Sequence, residues 1–367
     1  MASQRIRTGC YCRVLGSLVF CVASLLTIRA QQATESEPVR LEIPRGLDAY
    51  MPVPEENPLT REKIALGRQL FFDPRLSRDG KVSCATCHDP QHAFTDARPV
   101  AVGVFGRIGT RRVPTLINRG YGSAFFWDGR AETLDEQVSR PIQNPKEMDL
   151  SLAEASAQVG LPPDEIARAL ASYVRTILSG ESPYDRYVNG DTAALSNAAR
   201  RGLEVFRNKG NCIACYVGPN FTDEHFHDTG VAWRNGRLFD PGRFAVTGKE
   251  RDRGAFKTPT LREVARRAPY MHDGSLTSLD EVIDFYDRGG NPNPYLDPEL
   301  HPLKLMPEEK KALLAFLKAL SGTVVDGGLN YKEVEARKPT AQDWPPQSLK
   351  EYDVSLGGLS VSPRRDD

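Results

Sequence analysis

Two stretches of the chain place apolar and polar residues with a helical period. The stretch "TREKIALGRQLFF" begins at the helix-capping residue Thr60 and places Leu70 and its other apolar residues mostly along one side. The stretch "SNAARRGLEVF" begins in the same way at Ser196 and offers Leu203 and Phe206. Each stretch therefore predicts an amphipathic helix with one buried face.

Two further helical runs follow these stretches along the chain. They read "DEIARALASYVRTIL" from Asp164 and "EEKKALLAFLKAL" from Glu308. Strand-like alternation of apolar and polar residues is scarce throughout. We therefore predict a mainly α fold.

A thirty-residue pattern occurs twice. The segment Gly109–Val138 aligns without a gap with Gly254–Ile283, which begins 145 residues later. Both contain G-x-x-x-x-P-T-L, then D-G, then L-D-E, at identical spacings. Chance similarity of two helical halves does not explain prolines, glycines and acidic residues that match in this way. The pattern predicts two similar domains related by internal duplication.

The boundaries of these domains follow from composition. We place the N-terminal domain at 45–180 and the C-terminal domain at 192–325. The stretch 179–191, rich in Ser, Gly, Pro, Asn and Asp, is typical of a linker. Residues 326–367 are polar and proline-bearing, and we expect them to form a surface tail.

The N-terminus differs from the rest of the chain. Three arginines precede the apolar run Val14–Leu26, and Ala30 offers a small residue for cleavage. This order is typical of a signal peptide, here residues 1–30, and the run is too short to span a bilayer. An uncleaved anchor is the alternative. We expect export to a bacterial periplasm and no stable membrane association.

Charge argues against some classes of partner. The 367 residues contain 48 Lys and Arg and 48 Asp and Glu. Since positive and negative charges balance, no net field favours nucleic acid or an anionic membrane. We expect no nucleic-acid partner.

The cysteines point to a cofactor. Removal of the signal peptide leaves Cys84, Cys87, Cys212 and Cys215, which in an exported protein would normally form disulfides. Both pairs are C-x-x-C, however, and His88 completes "CATCH". This signature attaches c-type haem through two thioethers, with the histidine on the iron. A zinc site would need two more ligands nearby. The sequence predicts a covalent haem at the first pair.

These motifs resemble those of the bacterial di-haem cytochrome c peroxidase and MauG family. The matching pieces include "CATCH", "FFWDGR", "NPKEM", "KTPTLR", "YMHDGS" and "FYDRGG", and they extend over nearly the whole mature chain. The resemblance implies two cytochrome c-like domains that each cover one haem. It places the peroxide-reactive haem in the N-terminal domain and an electron-transfer haem in the C-terminal domain.

The resemblance also implies roles for three side chains. Trp127 in "FFWDGR" corresponds to a tryptophan between the haems, an electron relay that can also be a core aromatic. Gln137 and Glu147 correspond to distal-pocket residues of the peroxide-reducing haem. A carboxylate there can move a proton between the two oxygens of peroxide, which assists O–O cleavage.

The first iron is expected to have an open face. Many peroxidases of the family carry a histidine after the first haem motif that blocks the iron until reduction. The corresponding stretch here, "ARPVAVGVFGRIG", contains no histidine, and His92 is too close to His88 to reach the far face. We expect an open sixth position, as in MauG-type members.

The second C-x-x-C departs from the family pattern. It reads "CIACY", with Tyr216 in place of the histidine. Three interpretations of this motif are open. The site holds no covalent haem, or it holds a haem with Tyr216 as the iron ligand, as in catalase, or it holds a haem whose iron is bound by another residue. The candidates for another ligand are His225, His227 and His272.

The 145-residue offset between the two repeats aligns Tyr286 with Pro141 of the first half. In the family this second-half position holds the distal ligand of the second haem, methionine in the peroxidases and tyrosine in MauG. Tyr286 is therefore a predicted iron ligand, with an ordinary buried tyrosine as the alternative. Because a phenolate favours ferric iron, this residue places the chain on the MauG-like side.

The family also implies a calcium ion between the domains, bound by an asparagine side chain and by second-half backbone carbonyls. The carbonyl region is present around "FKTPTL", but Arg112 stands at the asparagine position. Its charge can replace that of the cation. The site between the domains is therefore expected to contain either a calcium ion or the Arg112 guanidinium.

Three functions are consistent with these residues. The first is reduction of hydrogen peroxide, with electrons from a small c-type cytochrome or copper protein passing through the second haem site. The second is MauG-like oxidation of a tryptophan or tyrosine in a partner protein. The third is a non-catalytic haem-binding electron carrier, against which Gln137 and Glu147 argue because a carrier needs no acid–base pocket.

Overall fold

The computed structural model describes residues 38–327, together with the strand segments 329–330 and 362–363. The predicted signal peptide and most of the predicted tail lie outside the described residues. The fold is mainly α, as predicted. Its helices are α1 (Arg61–Phe72), α2 (Cys84–Cys87), α3 (Leu134–Gln143), α4 (Leu152–Val159), α5 (Pro163–Arg175), α6 (Pro183–Val188), α7 (Asn197–Arg207), α8 (Phe244–Thr247), α9 (Leu279–Asp287) and α10 (Pro307–Lys318).

The strands are short and form small antiparallel sheets. They are β1 (Val39–Arg40), β2 (Leu178–Gly180), β3 (Phe226–His227), β4 (Trp233–Arg234), β5 (Arg237–Leu238), β6 (Phe256–Lys257), β7 (Thr323–Asp326), β8 (Leu329–Asn330) and β9 (Ser362–Pro363). The pairs are β1 with β9, β3 with β6 and β4 with β5, while β7 lies between β2 and β8. No helix in the described part of the chain is long and apolar enough to cross a lipid bilayer.

Both predicted amphipathic helices are confirmed. The hydroxyl of Thr60 accepts a hydrogen bond from the Lys63 amide at 3.2 Å at the start of α1. The hydroxyl of Ser196 accepts one from the Ala199 amide at 3.2 Å at the start of α7. Each serves as the N-cap predicted from the sequence, because it satisfies an amide that has no partner within the helix.

The core consists of two large apolar clusters. The first lies around α1 and α5 and includes Phe71 and Tyr173, while the second lies around α7 and α10 and includes Phe206 and Phe316. Burial of each such side chain contributes roughly 1.5–3 kcal/mol. Residues 84–147 lie between α1 and α5, and residues 212–286 lie between α7 and α10, so each cluster supports one candidate site.

Both helix pairs approach closely at a glycine. A Cβ added at Gly67 of α1 would overlap the Ala169 carbonyl oxygen of α5. A Cβ added at Gly202 of α7 would overlap the Ala312 carbonyl oxygen of α10 in the same way. The two glycines are therefore required by backbone contact.

Much of the predicted linker at residues 179–191 has regular secondary structure. Its start belongs to β2, which pairs with β7, and Pro183–Val188 forms α6. Asp185 is 1% exposed, and Nη1 of the fully buried Arg262 lies 2.6 Å from its Oδ2. The composition was misleading because a serine followed by a proline also occurs at the start of helices. Here the Ser182 hydroxyl accepts a hydrogen bond from the Asp185 amide.

Candidate functional site

One cavity extends along both apolar clusters. Its walls contain most of the residues that the sequence singled out. They are His88, Arg112, Trp127, Gln137, Cys212, Cys215, Tyr216, His227, His272 and Tyr286. Helices α3 and α9, which occupy corresponding places in the two halves of the repeat, supply Gln137 and Tyr286.

The first C-x-x-C forms the short helix α2, which ends at His88. Ser83 starts this helix through a reciprocal capping arrangement with Thr86, and the His88 amide donates to the Cys84 carbonyl at 2.8 Å. The turn therefore places both thiols and the imidazole close together. These positions fit a c-type haem attachment.

The His88 ring is oriented for binding a metal. Its Nδ1 lies 3.1 Å from the Phe94 carbonyl oxygen, so this nitrogen must carry the proton and donate it. Burial lowers the pKa of His88, which keeps the ring neutral. Nε2 is then left with its lone pair available, the arrangement usual for a metal-bound histidine.

Glu147 lies beside the attachment cysteines, although it is not part of the cavity wall. Burial raises the pKa of the Cys84 thiol to about 12 and that of Cys87 to about 11, and the Glu147 carboxylate adds to both shifts. Burial also raises the pKa of Glu147 itself, while Nδ2 of Asn144 donates to its Oε1 at 2.6 Å. A carboxyl group with a raised pKa is suited to proton transfer.

The other described histidine of the first half, His92, does not line the cavity. His92 is exposed, and its Nδ1 lies 3.1 Å from Asp89 Oδ2. Among the described histidines, His88 alone lines the cavity from the first half of the chain. Gln137, Phe125 and Phe126 line the same cavity. This geometry fits the expected open sixth position.

At the second C-x-x-C, two tyrosines face each other. The hydroxyl oxygens of Tyr216 and Tyr286 are 3.3 Å apart. Burial raises the pKa of Tyr286 to about 12 and also raises the pKa of Tyr216 well above its ordinary value. The two phenols would supply oxygen ligands to the iron of a haem attached at Cys212 and Cys215.

Of the three alternative histidine ligands, His227 and His272 line the cavity but have other partners. The side chain of His225 is 81% exposed and does not line the cavity. His227 is held between two carboxylates, with Nε2 2.8 Å from Asp223 and Nδ1 2.6 Å from Asp297. These carboxylates raise the pKa of His227 to about 12.

The third histidine candidate is part of an aromatic stack. The His272 ring lies parallel to Phe256, with ring centroids 3.7 Å apart. Burial lowers the pKa of His272 to about 4, so the ring is neutral. Tyr216 is therefore the candidate iron ligand that the second motif itself supplies. Its hydroxyl lies next to that of Tyr286, the predicted distal ligand.

A group of metal-ligand type lies beside the second motif. Cys215, Asp223 and His227 place one sulfur, one oxygen and one nitrogen within 4.8 Å of one another. A thioether at Cys215 removes the thiolate that a metal would need. Haem attachment and metal binding at this group therefore exclude each other.

The comparisons with known proteins agree with this geometry. The family model described as di-haem cytochrome c peroxidase matches residues 61–193. The methylamine utilization protein MauG of Methylorubrum extorquens is 43% identical over 289 residues, which cover 74% of this chain and 81% of that protein. The chain belongs to the di-haem cytochrome c peroxidase and MauG family. It is therefore an oxidoreductase of the haem peroxidase type, and the family implies c-type haem as its cofactor.

Other relatives and solved structures extend this result. The cytochrome c551 peroxidase of Pseudomonas aeruginosa is 33% identical over 302 residues, covering 74% of this chain and 84% of that protein. A MauG-like protein associated with microbial copper homeostasis is similar in structure, with a TM-score of 0.69 and 32% identity, over 77% of this chain and 93% of that one. The di-haem peroxidase BthA from Burkholderia thailandensis gives a TM-score of 0.63 at 25% identity, over 78% and 93%.

Sequence reasoning missed several residues around the family site. Asn144, which holds Glu147, lies within the matching "NPKEM" motif and has a local signal. Asp223 and Asp297 hold His227 from positions 74 residues apart in the chain, and no spacing rule joins them. Arg267, whose carbonyl faces Arg112, likewise carries no sequence signal.

Proposed function

We propose that the protein reduces hydrogen peroxide at a haem bound by Cys84, Cys87 and His88. The observation that carries this proposal is the neutral, correctly oriented His88 ring in a cavity that no other described first-half histidine enters. Haem iron at this position would supply the electrons for cleavage of the O–O bond. Reduction of one peroxide consumes two protons and two electrons and yields two waters.

The acid–base work falls to Glu147, with Gln137 beside it. With haem bound at His88, the ionised Glu147 carboxylate would accept a proton from one peroxide oxygen. It would then donate this proton to the other oxygen, which is released as water. Asn144 holds the carboxylate through its 2.6 Å hydrogen bond, and Gln137, on the cavity wall, offers an amide to the bound peroxide.

An internal duplication of two cytochrome c-like domains, at 45–180 and 192–325, is part of the proposal. Non-glycine residues with positive φ are uncommon, yet Asn118 and Glu263 have φ of 58° and 59°. Phe126 and Met271, the next such pair, have φ of 67° and 70°. Both pairs are 145 residues apart, which supports the register found in the sequence.

The second half is the proposed entry for electrons. Cys212 and Cys215 would attach a second haem, with Tyr216 and Tyr286 as its oxygen ligands. We propose a small c-type cytochrome or copper protein as the donor and Trp127 as the relay between the two sites. The position of Trp127 on the shared cavity wall supports this relay.

MauG-like oxidation of a tryptophan or tyrosine in a partner protein is the second candidate. The tyrosine at position 286 and the 43% identity to MauG favour it. A non-catalytic carrier is disfavoured because Glu147 is a half-buried carboxyl group with a raised pKa beside the attachment site. For both activities we propose a periplasmic location after cleavage of residues 1–30.

The reaction of the fully ferric protein with peroxide tests the proposal. Rapid mixing with one equivalent of hydrogen peroxide is expected to change the haem absorbance at once, without prior reduction, because no histidine blocks the first iron. The same protein reduced by one electron serves as the control and should react no faster. If only the pre-reduced protein reacts, the open position is wrong.

A further inference from the structure

Arg112 places a buried guanidinium among oxygen atoms from both halves of the chain. The residue is 5% exposed. Its Nη1 donates to Thr95 Oγ1 at 3.0 Å and to the Val113 carbonyl at 3.1 Å. Its Nη2 donates to the Asp96 carbonyl at 2.9 Å and, across the boundary, to the Arg267 carbonyl at 2.8 Å. The guanidinium thus joins residues that are more than a hundred positions apart.

The oxygen atoms that accept hydrogen bonds from Nη1 and Nη2 are uncharged, while Nε is buried without a hydrogen-bond partner among the described residues. The nearby Asp96 carboxylate is engaged by Arg98, at 2.7 Å, rather than by Arg112. Burial lowers the pKa of Arg112 to about 10, which still leaves the group protonated at neutral pH. A ring of carbonyl and hydroxyl oxygens around a buried cation is the arrangement of a metal site, with a cation that is part of the chain.

The backbone around Arg112 forms a reciprocal pair of hydrogen bonds between the halves. The Arg112 amide donates to the His272 carbonyl at 2.7 Å, and the Lys257 amide donates to the Trp127 carbonyl at 2.8 Å. Lys257 and His272 lie 145 residues beyond Arg112 and Trp127. The Arg112 carbonyl in turn accepts the Trp127 indole Nε1 at 2.8 Å. The Arg112 backbone therefore holds the indole of the proposed relay, while the Lys257 amide holds the backbone carbonyl of Trp127.

Calcium does not fit beside this side chain. Ca²⁺ takes 6–8 oxygens at about 2.3–2.6 Å, and the guanidinium already engages the oxygens available here. Two positive charges a few ångströms apart also repel each other. The second-half carbonyls that face Arg112 are those of Arg267 and Ala268, at 2.8 and 3.4 Å, and not those of "FKTPTL" as expected from the sequence.

We propose that Arg112 is a built-in cation that replaces a bound metal ion between the two halves and positions Trp127 without calcium. The guanidinium holds the Thr95–Val113 side and the Arg267–Ala268 side together. Replacing it by a neutral amide leaves the same oxygens facing a gap, which is then open to a divalent cation. The chain should therefore be independent of calcium, and a single substitution should make it dependent.

Melting of the haem-loaded protein and calcium calorimetry test this directly. Wild-type protein should melt at the same temperature in EGTA and in excess Ca²⁺ and should show no calcium-binding heat. Arg112→Asn should melt about 5 °C lower in EGTA, regain most of this loss in Ca²⁺ and show binding heat. Arg112→Lys, which keeps the cation, should not acquire calcium dependence. Arg186→Asn, an exposed position on α6, is the matched control.

The positioning of Trp127 by Arg112 is tested separately. This test rests on the proposed role of Trp127 as an electron relay. Arg112→Asn in EGTA should lower donor-dependent peroxide turnover about tenfold, since small misplacements of a reactive group are costly. In a Trp127→Phe background the same substitution should have little further effect, because its target is gone. A full additive loss in that background would show that Arg112 does not act through Trp127.

Two results would overturn the calcium proposal whatever the activity. One is a wild-type protein that loses stability in EGTA and regains it with Ca²⁺. The other is an Arg112→Asn variant whose melting and calorimetry match those of Arg186→Asn. Neither measurement requires peroxide turnover, so failure of the proposed function remains distinguishable from failure of this inference.

Discussion

Replacing Glu147 by glutamine lowers peroxide turnover by about a hundredfold, the contribution expected of a positioned general acid–base. The amide keeps the size of the side chain and its contact with Asn144, but it neither accepts nor donates the proton that must move between the peroxide oxygens. Haem content and the ferric absorbance spectrum should stay unchanged. Steady-state turnover with a small reduced cytochrome is the measurement.

The pH dependence of kcat/KM provides a second test of the role of Glu147. Glu147 must be ionised to accept a proton, and burial raises its pKa above the ordinary 4.5. In wild-type protein kcat/KM should therefore rise with pH through that raised pKa, and Glu147→Gln should lack this acidic limb. Glu165→Gln, an exposed position on α5, is the control and should match wild type. Unchanged turnover in Glu147→Gln would assign the proton transfer to another group.

Replacing Tyr216 by histidine is expected to raise the reduction potential of the proposed second haem by on the order of 0.1 V, because a neutral imidazole would replace an anionic phenolate. The two hydroxyls now lie 3.3 Å apart, so the substitution changes the partner that faces Tyr286. An iron with a higher potential accepts electrons more readily. Donor-dependent turnover should rise accordingly.

A spectroelectrochemical titration measures this change. Tyr187→Phe is the matched control, since Tyr187 packs against the same apolar cluster without lining the cavity. Its potential should equal that of wild type. If Tyr216→His also leaves the potential of the second haem unchanged, Tyr216 is not an iron ligand.

Local motifs allowed the first site to be predicted from sequence. The C-x-x-C-H turn fixes its residues within five positions, so the helix, the thiols and His88 need no knowledge of the fold. The opposition of Tyr216 and Tyr286 followed from the internal register together with the family resemblance. In both cases the information was contained in spacing.

The rest depended on contacts between distant segments. Asp185 lay in a stretch with the composition of a linker, yet it is buried by Arg262, 77 residues further along the chain. Arg112 was recognised as a substitute for a cation, but the carbonyls that it meets belong to residues 155 and 156 positions away. Such pairs are set by packing of the two halves and leave no periodic signal.

The spin state of the iron at His88 tests the central claim most directly. Electron paramagnetic resonance of the ferric protein, in a Cys212→Ser/Cys215→Ser variant that retains only the first attachment motif, isolates that iron. The account predicts a high-spin signal from an iron with an open face toward Glu147 and Gln137. A low-spin, six-coordinate signal, or a protein without haem, would contradict it.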